Sequence, residues 1–75
     1  LIMTREKLNS VMKQYCITPS ELDDVFEFVA DLLYLRRKEL EQNEPYAYRA
    51  IDRICCAENE VIDLLDYISE IKEEK

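Results

Sequence analysis

Glycine is missing from all 75 residues of this chain, and that absence narrows its possible folds more than any other feature. Glycine supplies positive-φ positions without strain. Lacking it, a chain loses tight hairpin turns, phosphate-cradling loops and dinucleotide-binding fingerprints together. What remains is helix, and the two prolines mark where helices begin. Thr18-Pro19-Ser20-Glu21 reads as a capping box, with Thr18 as N-cap, Pro19 in the first helical position and Glu21 reaching back. Asn43-Glu44-Pro45 offers a second start, with Asn43 as cap and Glu44 favourable at the positive end of the helix dipole. Thr4 can cap a shorter first helix. The sequence thus predicts three helices, near 4–16, 19–42 and 44–73, with no linker, repeat or low-complexity tract between them. The expectation is an all-α protein, one domain over 1–75. Its short N-terminal helix precedes a long antiparallel helical hairpin, because the break near Asn43 is too short for any other packing.

The apolar pattern sets the faces. The first helix carries Leu8, Val11, Met12 and Tyr15 as one stripe. In the third, Ala47, Ile51, Ile54, Glu58, Val61, Leu65, Ile68 and Lys72 alternate spacings of four and three, a heptad seam with an acid in its middle. The second is apolar nearly all round at its centre. Val25, Phe26, Phe28, Val29, Leu32, Leu33 and Leu35 leave only Glu27 and Asp31 as a polar strip. Leu22, Phe26, Val29 and Leu33 form the stripe expected to face the third helix. A helix apolar on most sides is buried on most sides, and one neighbour plus a short helix does not cover it.

A chain of this length buries only about 60% of its unfolded surface and needs a staple. Cys16, Cys55 and Cys56 do not form a disulfide framework: the count is odd and two are adjacent, pointing about 100° apart on a helix. They read as small apolar fillers in a reducing compartment. With no histidine and no C-x-x-C, a zinc ligand set is lacking. By elimination the expected staple is another protein chain, in a homo-oligomer or a hetero-complex, completing the hairpin into a bundle.

Ten Lys and Arg stand against 17 Asp and Glu, a net charge of −7. That balance argues against nucleic acid or an anionic membrane as partner. The N-terminus shows no signal peptide and no segment reaches the length of a membrane span, so the expected location is cytoplasmic. Leu1 and Ile2 precede Met3, where a native start is expected. Antiparallel packing would gather Arg36, Arg37, Lys38, Arg49 and Arg53 at the hairpin tip. It would also set Glu21, Asp23, Asp24 and Glu27 beside Asp63, Asp66, Glu70, Glu73 and Glu74 at the base. An acidic base can steer docking onto a basic partner surface.

No catalytic, cofactor-binding or metal-binding residue is expected, and the chain reads as no enzyme. All-α nucleotide pyrophosphohydrolases hold Mg²⁺ with an E-E-x-x-E helix followed by an E-x-x-D helix. Glu60-Val61-Ile62-Asp63 and Glu21-Leu22-Asp23-Asp24 imitate the second motif, and Glu41 with Glu44 part of the first. Leu40 replaces the paired acid, however, and Pro45 interrupts that helix. The expected partner-binding residues are Phe28, Leu32, Leu35, Tyr46, Tyr48, Glu58, Asp66 and Glu70: apolar anchors on the second helix, aromatics at the tip, the acid within the seam, and acids at the base.

Met3-Thr4 opening a short helix, Arg36-Arg37-Lys38-Glu39-Leu40 closing the second, and Pro45-Tyr46-Ala47-Tyr48 opening a third with an apolar stripe to Ile68 together resemble a known family. It is the small E-component needle co-chaperones of type III secretion systems. The apolar centre of the second helix and Cys55-Cys56 depart from that pattern. The resemblance implies a helical-repeat chaperone as partner, the two shielding a needle subunit. A small phage-type regulator or inhibitor, whose acidic base occupies a basic site on a host protein, fits the same residues.

Overall fold

Thr18 starts the longest run of order. Its hydroxyl accepts from the Glu21 N–H at 3.2 Å, and the Glu21 carboxylate accepts from the Thr18 N–H at 2.9 Å. This capping box, with Pro19 behind it, launches α2 (Pro19–Asn43) in a computed structural model that describes residues 3–74. Ahead of it lies α1 (Arg5–Gln14), capped by Thr4 accepting from the Lys7 N–H. After it comes α3 (Tyr48–Glu73). Leu1 and Ile2, on which the expectation of a start at Met3 turned, lie outside the described residues.

The protein is all-α, with α2 and α3 packed as a long hairpin and α1 short beside α3. Among the described residues, no helix is long and apolar enough to cross a membrane. The third helix begins four residues later than the sequence suggests. Asn43 is the last residue of α2 rather than a cap, and Pro45 lies outside any helix. A residue before proline is pushed out of the helical region, and Glu44 adopts φ −138° and ψ 59°. The Ala47 N–H then donates to the Glu44 carbonyl at 2.9 Å. That bond closes a four-residue turn with Pro45 in its second position, where proline's fixed φ fits best. Consequently α3 starts at Tyr48 with no side-chain cap.

The exit from α1 has to solve a problem that glycine usually solves. Cys16 takes φ 55°, in the left-handed region that costs a residue with a Cβ roughly 1–2 kcal/mol. In return the Ile17 N–H reaches the Met12 carbonyl at 2.9 Å and the Cys16 N–H reaches Lys13 at 3.3 Å. These are the two bonds of a Schellman helix end.

Among the described residues four side chains are buried: Leu8, Met12, Leu40 and Ile68. Leu8, Met12 and Ile68 form one cluster at the base, with Leu22, Phe26, Leu64, Tyr67 and Ile71 packed around it. The expected α1 stripe is narrower than its sequence implies. Val11 lies on the flank and Tyr15 beyond the last helical turn, and both are exposed. The cysteines also correct the sequence reading: Cys16 and Cys56 are exposed and only Cys55 is half-buried. One sits at the Schellman turn and the other on the solvent side of α3, so two of the three fill nothing.

Two ion pairs set the hairpin register. Arg37 meets Glu58, and Lys72 reaches Asp23 at 2.9 Å. Each pair lies 14 residues from the other along both helices, about 21 Å of rise. A slip of one heptad would set Arg37 against Ile51 or Leu65 and break both pairs.

Candidate docking surface

The sequence places Phe28, Leu32 and Leu35 off the stripe that meets α3, and the structure keeps them uncovered. Leu22, Phe26, Val29 and Leu33 turn inward and are partly buried. Phe28, Leu32 and Leu35 are 63%, 50% and 62% exposed, and Val25 beside them is 53% exposed. Spacings of three, four and three residues put these four on one strip of helix, roughly a third of a turn from the inward stripe. Val25 was missed as a site residue, although that spacing was there to be read.

The remaining expected contacts do not join this strip. Tyr46 lies in the tip turn and Tyr48 is the first residue of α3, at 75% and 69% exposed. Asp66 is exposed on α3, and Glu70 accepts from Arg5 at 3.4 Å near the base. The eight residues therefore fall in separate places: the back of α2, the tip, the mid-hairpin and the base.

Glu58 is engaged within the chain. Arg37 Nε donates to its Oε1 at 2.5 Å and Nη2 to its Oε2 at 3.4 Å, while Nη1 reaches Glu41 at 3.2 Å. The Tyr34 ring lies 5.4 Å from the guanidinium, within cation–π range. The bond from Glu58 drives the Arg37 pKa above its ordinary value, against the opposing effect of burial, and Glu41 adds to the rise. Beside this pair runs an open groove of about 320 Å³, lined by Arg37, Cys55, Glu58, Asn59 and Ile62. Its acid and base are already matched, so it presents little unpaired charge to a ligand. The tip is also less basic than its composition suggests, because Arg36 pairs with Glu39 and Lys38 with Glu41.

Among the described residues, no three His, Cys, Asp or Glu side chains come together as a metal-holding group. The molecule is long and thin, 45 × 23 × 20 Å, with a radius of gyration of 14.5 Å. A compact chain of this length would have about 11 Å. Its accessible surface is 5840 Å², where a compact monomer of its mass would show about 4,900 Å². No protein-family model matches this chain, and neither a curated protein nor a solved structure matches it.

Proposed function

We propose that this chain is a non-enzymatic protein–protein interaction module, a small acidic helical adaptor or co-chaperone that buries the back of α2 against another protein chain. The observation that carries the reading is the strip Val25–Phe28–Leu32–Leu35, four large apolar side chains each at least half exposed on one of the two long helices of the hairpin. Interface cores are apolar, desolvated and anchored by a few large side chains. A helix with two apolar faces, one filled from within its own chain, is half of a bundle. The resemblance to needle co-chaperones fits this use, since it implies a chain that works beside a helical-repeat chaperone to shield another subunit. A cytoplasmic setting belongs to the same proposal, because a reducing compartment keeps exposed thiols such as Cys16 and Cys56 free.

Charge has a separate part. Asp63 and Asp66 stand exposed at the acidic end of α3, where they raise encounter rates with a basic surface more than they hold a complex together. This favours, as a second reading, a regulator whose base occupies a basic site on its target. Both readings are tested by capture and kinetics, using the intact chain and a Phe28→Ala/Leu35→Ala variant as baits. A protein retained by the first and lost by the second, with dissociation faster by an amount worth about 1–3 kcal/mol, supports the docking face. Equal retention by both baits, with a loss only on Asp66→Lys, would move the interface to the acidic base.

A further inference from the structure

Along α2, Val25, Phe28, Leu32 and Leu35 occupy successive a and d positions of one heptad register, the spacing by which two helices interlock. We infer that this seam receives the same seam of a second copy, the two α2 helices lying antiparallel, so that two hairpins close into one bundle. The inference rests on reading the back of α2 as a docking face.

Side-chain register supports it. Antiparallel helices pair an a position with a d position. Centred between Phe28 and Leu32, the arrangement sets Val25 against Leu35 of the second copy and Phe28 against its Leu32, each twice by symmetry. All four rungs are apolar. The next positions outward are Glu21 and Glu39, each already tied to its own chain, to Thr18 and to Arg36. The seam therefore ends where its apolar character ends.

Charge decides the direction. The residues flanking the seam on one side are Asp24, Asp31 and Lys38. Lys38 is exposed and loosely held, 3.6 Å from Glu41. The antiparallel arrangement brings Asp24 of each copy to Lys38 of the other, two favourable pairs against one Asp31–Asp31 contact at the axis. It also lays the acidic base of one hairpin along the tip of the other, where Arg49 and Arg53 are exposed. Parallel packing would set two acidic bases side by side, in a chain already at −7. Like charges so placed repel.

Area agrees. The surface of 5840 Å² exceeds that of a compact monomer by roughly 1,000 Å². A standard stable interface takes about 800 Å² from each partner.

The test is sedimentation equilibrium of the full chain at micromolar concentration, alongside uptake of a dye that reports exposed apolar surface. The expected mass is twice the 9.0 kDa of one chain. Leu32→Lys, at an exposed position, should weaken the dimer by about tenfold or more while leaving the helical circular dichroism unchanged. Asp24→Lys should weaken it as well, and adding Lys38→Asp should restore it. A dimer indifferent to Leu32→Lys would overturn the inference, because the contact would lie elsewhere. A dimer indifferent to Asp24→Lys would overturn the antiparallel arrangement. A monomer whose strong dye uptake is removed by Leu32→Lys would exclude the second copy yet keep the docking face. A monomer with no dye uptake would overturn both.

Discussion

Ile68 and Ile62 are the same residue type, six positions apart on the same helix, in opposite environments. Ile68 is 0% exposed at the centre of the base cluster, whereas Ile62 is 51% exposed on the rim of the open groove. Replacing either with alanine changes helix propensity by the same amount, so the difference between them reports burial alone. Ile68→Ala removes buried methyl groups and leaves a cavity among Leu8, Met12 and Leu64, which costs about 2–5 kcal/mol. Ile62→Ala loses part of a transfer term and opens no cavity, so its cost is about 1 kcal/mol or less. At roughly 0.05–0.15 kcal/mol per residue, a domain of this length holds about 4–11 kcal/mol in all. The buried substitution therefore removes a large share of the total. Thermal unfolding followed by circular dichroism should place Ile68→Ala below Ile62→Ala by at least about 4 °C, given a difference of about 1 kcal/mol or more and ~4–8 °C per kcal/mol in a domain this small. Equal melting temperatures for the two variants would mean that the base cluster is not what holds the hairpin together.

Cys16→Gly should raise stability by about 1 kcal/mol, because glycine accepts the left-handed conformation without a Cβ clash; a lower melting temperature would refute that backbone geometry. Arg37→Glu and Glu58→Arg should each destabilise the hairpin, and the double variant should recover part of the loss; a double-mutant cycle with no coupling would remove this pair from the register argument. The bonds from the Thr18 N–H and hydroxyl hold the Glu21 carboxyl below its ordinary value of 4.5. A depressed folded pKa contributes stability above the unfolded value, lost as pH falls through the lower folded value. Amide protection at the start of α2, taken relative to the intrinsic exchange rate at each pH, should therefore fall on acidification below pH 4.5, and Glu21→Ala should show no such acid limb.

Much of this fold was legible because helix signals are local. The capping box at Thr18 and Glu21, the inward stripe from Leu22 to Leu33, and the seam ending at Ile68 all follow from spacings within one helix. What was misread depends on competition between neighbours. Asn43-Glu44-Pro45 has the residues of a helix start, but proline suits the turn equally well, and the incoming α2 takes Asn43 for its last turn. Arg37 and Glu58 were assigned to different features, a basic tip and a seam acid. Sequence periodicity fixes the face of a residue but not its height against a partner helix. The exposed apolar strip was partly visible in Phe28, Leu32 and Leu35. Val25 lies off the inward stripe by the same spacing, but its smaller side chain marks it less plainly as an anchor.

Hydroxyl-radical footprinting of the assembled complex tests the docking face most directly, whether the partner is a second copy or another protein. Phe28, Leu32 and Leu35 are open to labelling in the lone chain, and Tyr15, 66% exposed on the far end of α1, serves as the internal reference. If the back of α2 is the interface, labelling of those three falls sharply on assembly while Tyr15 stays unchanged. Undiminished labelling of Phe28 and Leu35 in a complex that protects only the base of α3 would contradict it.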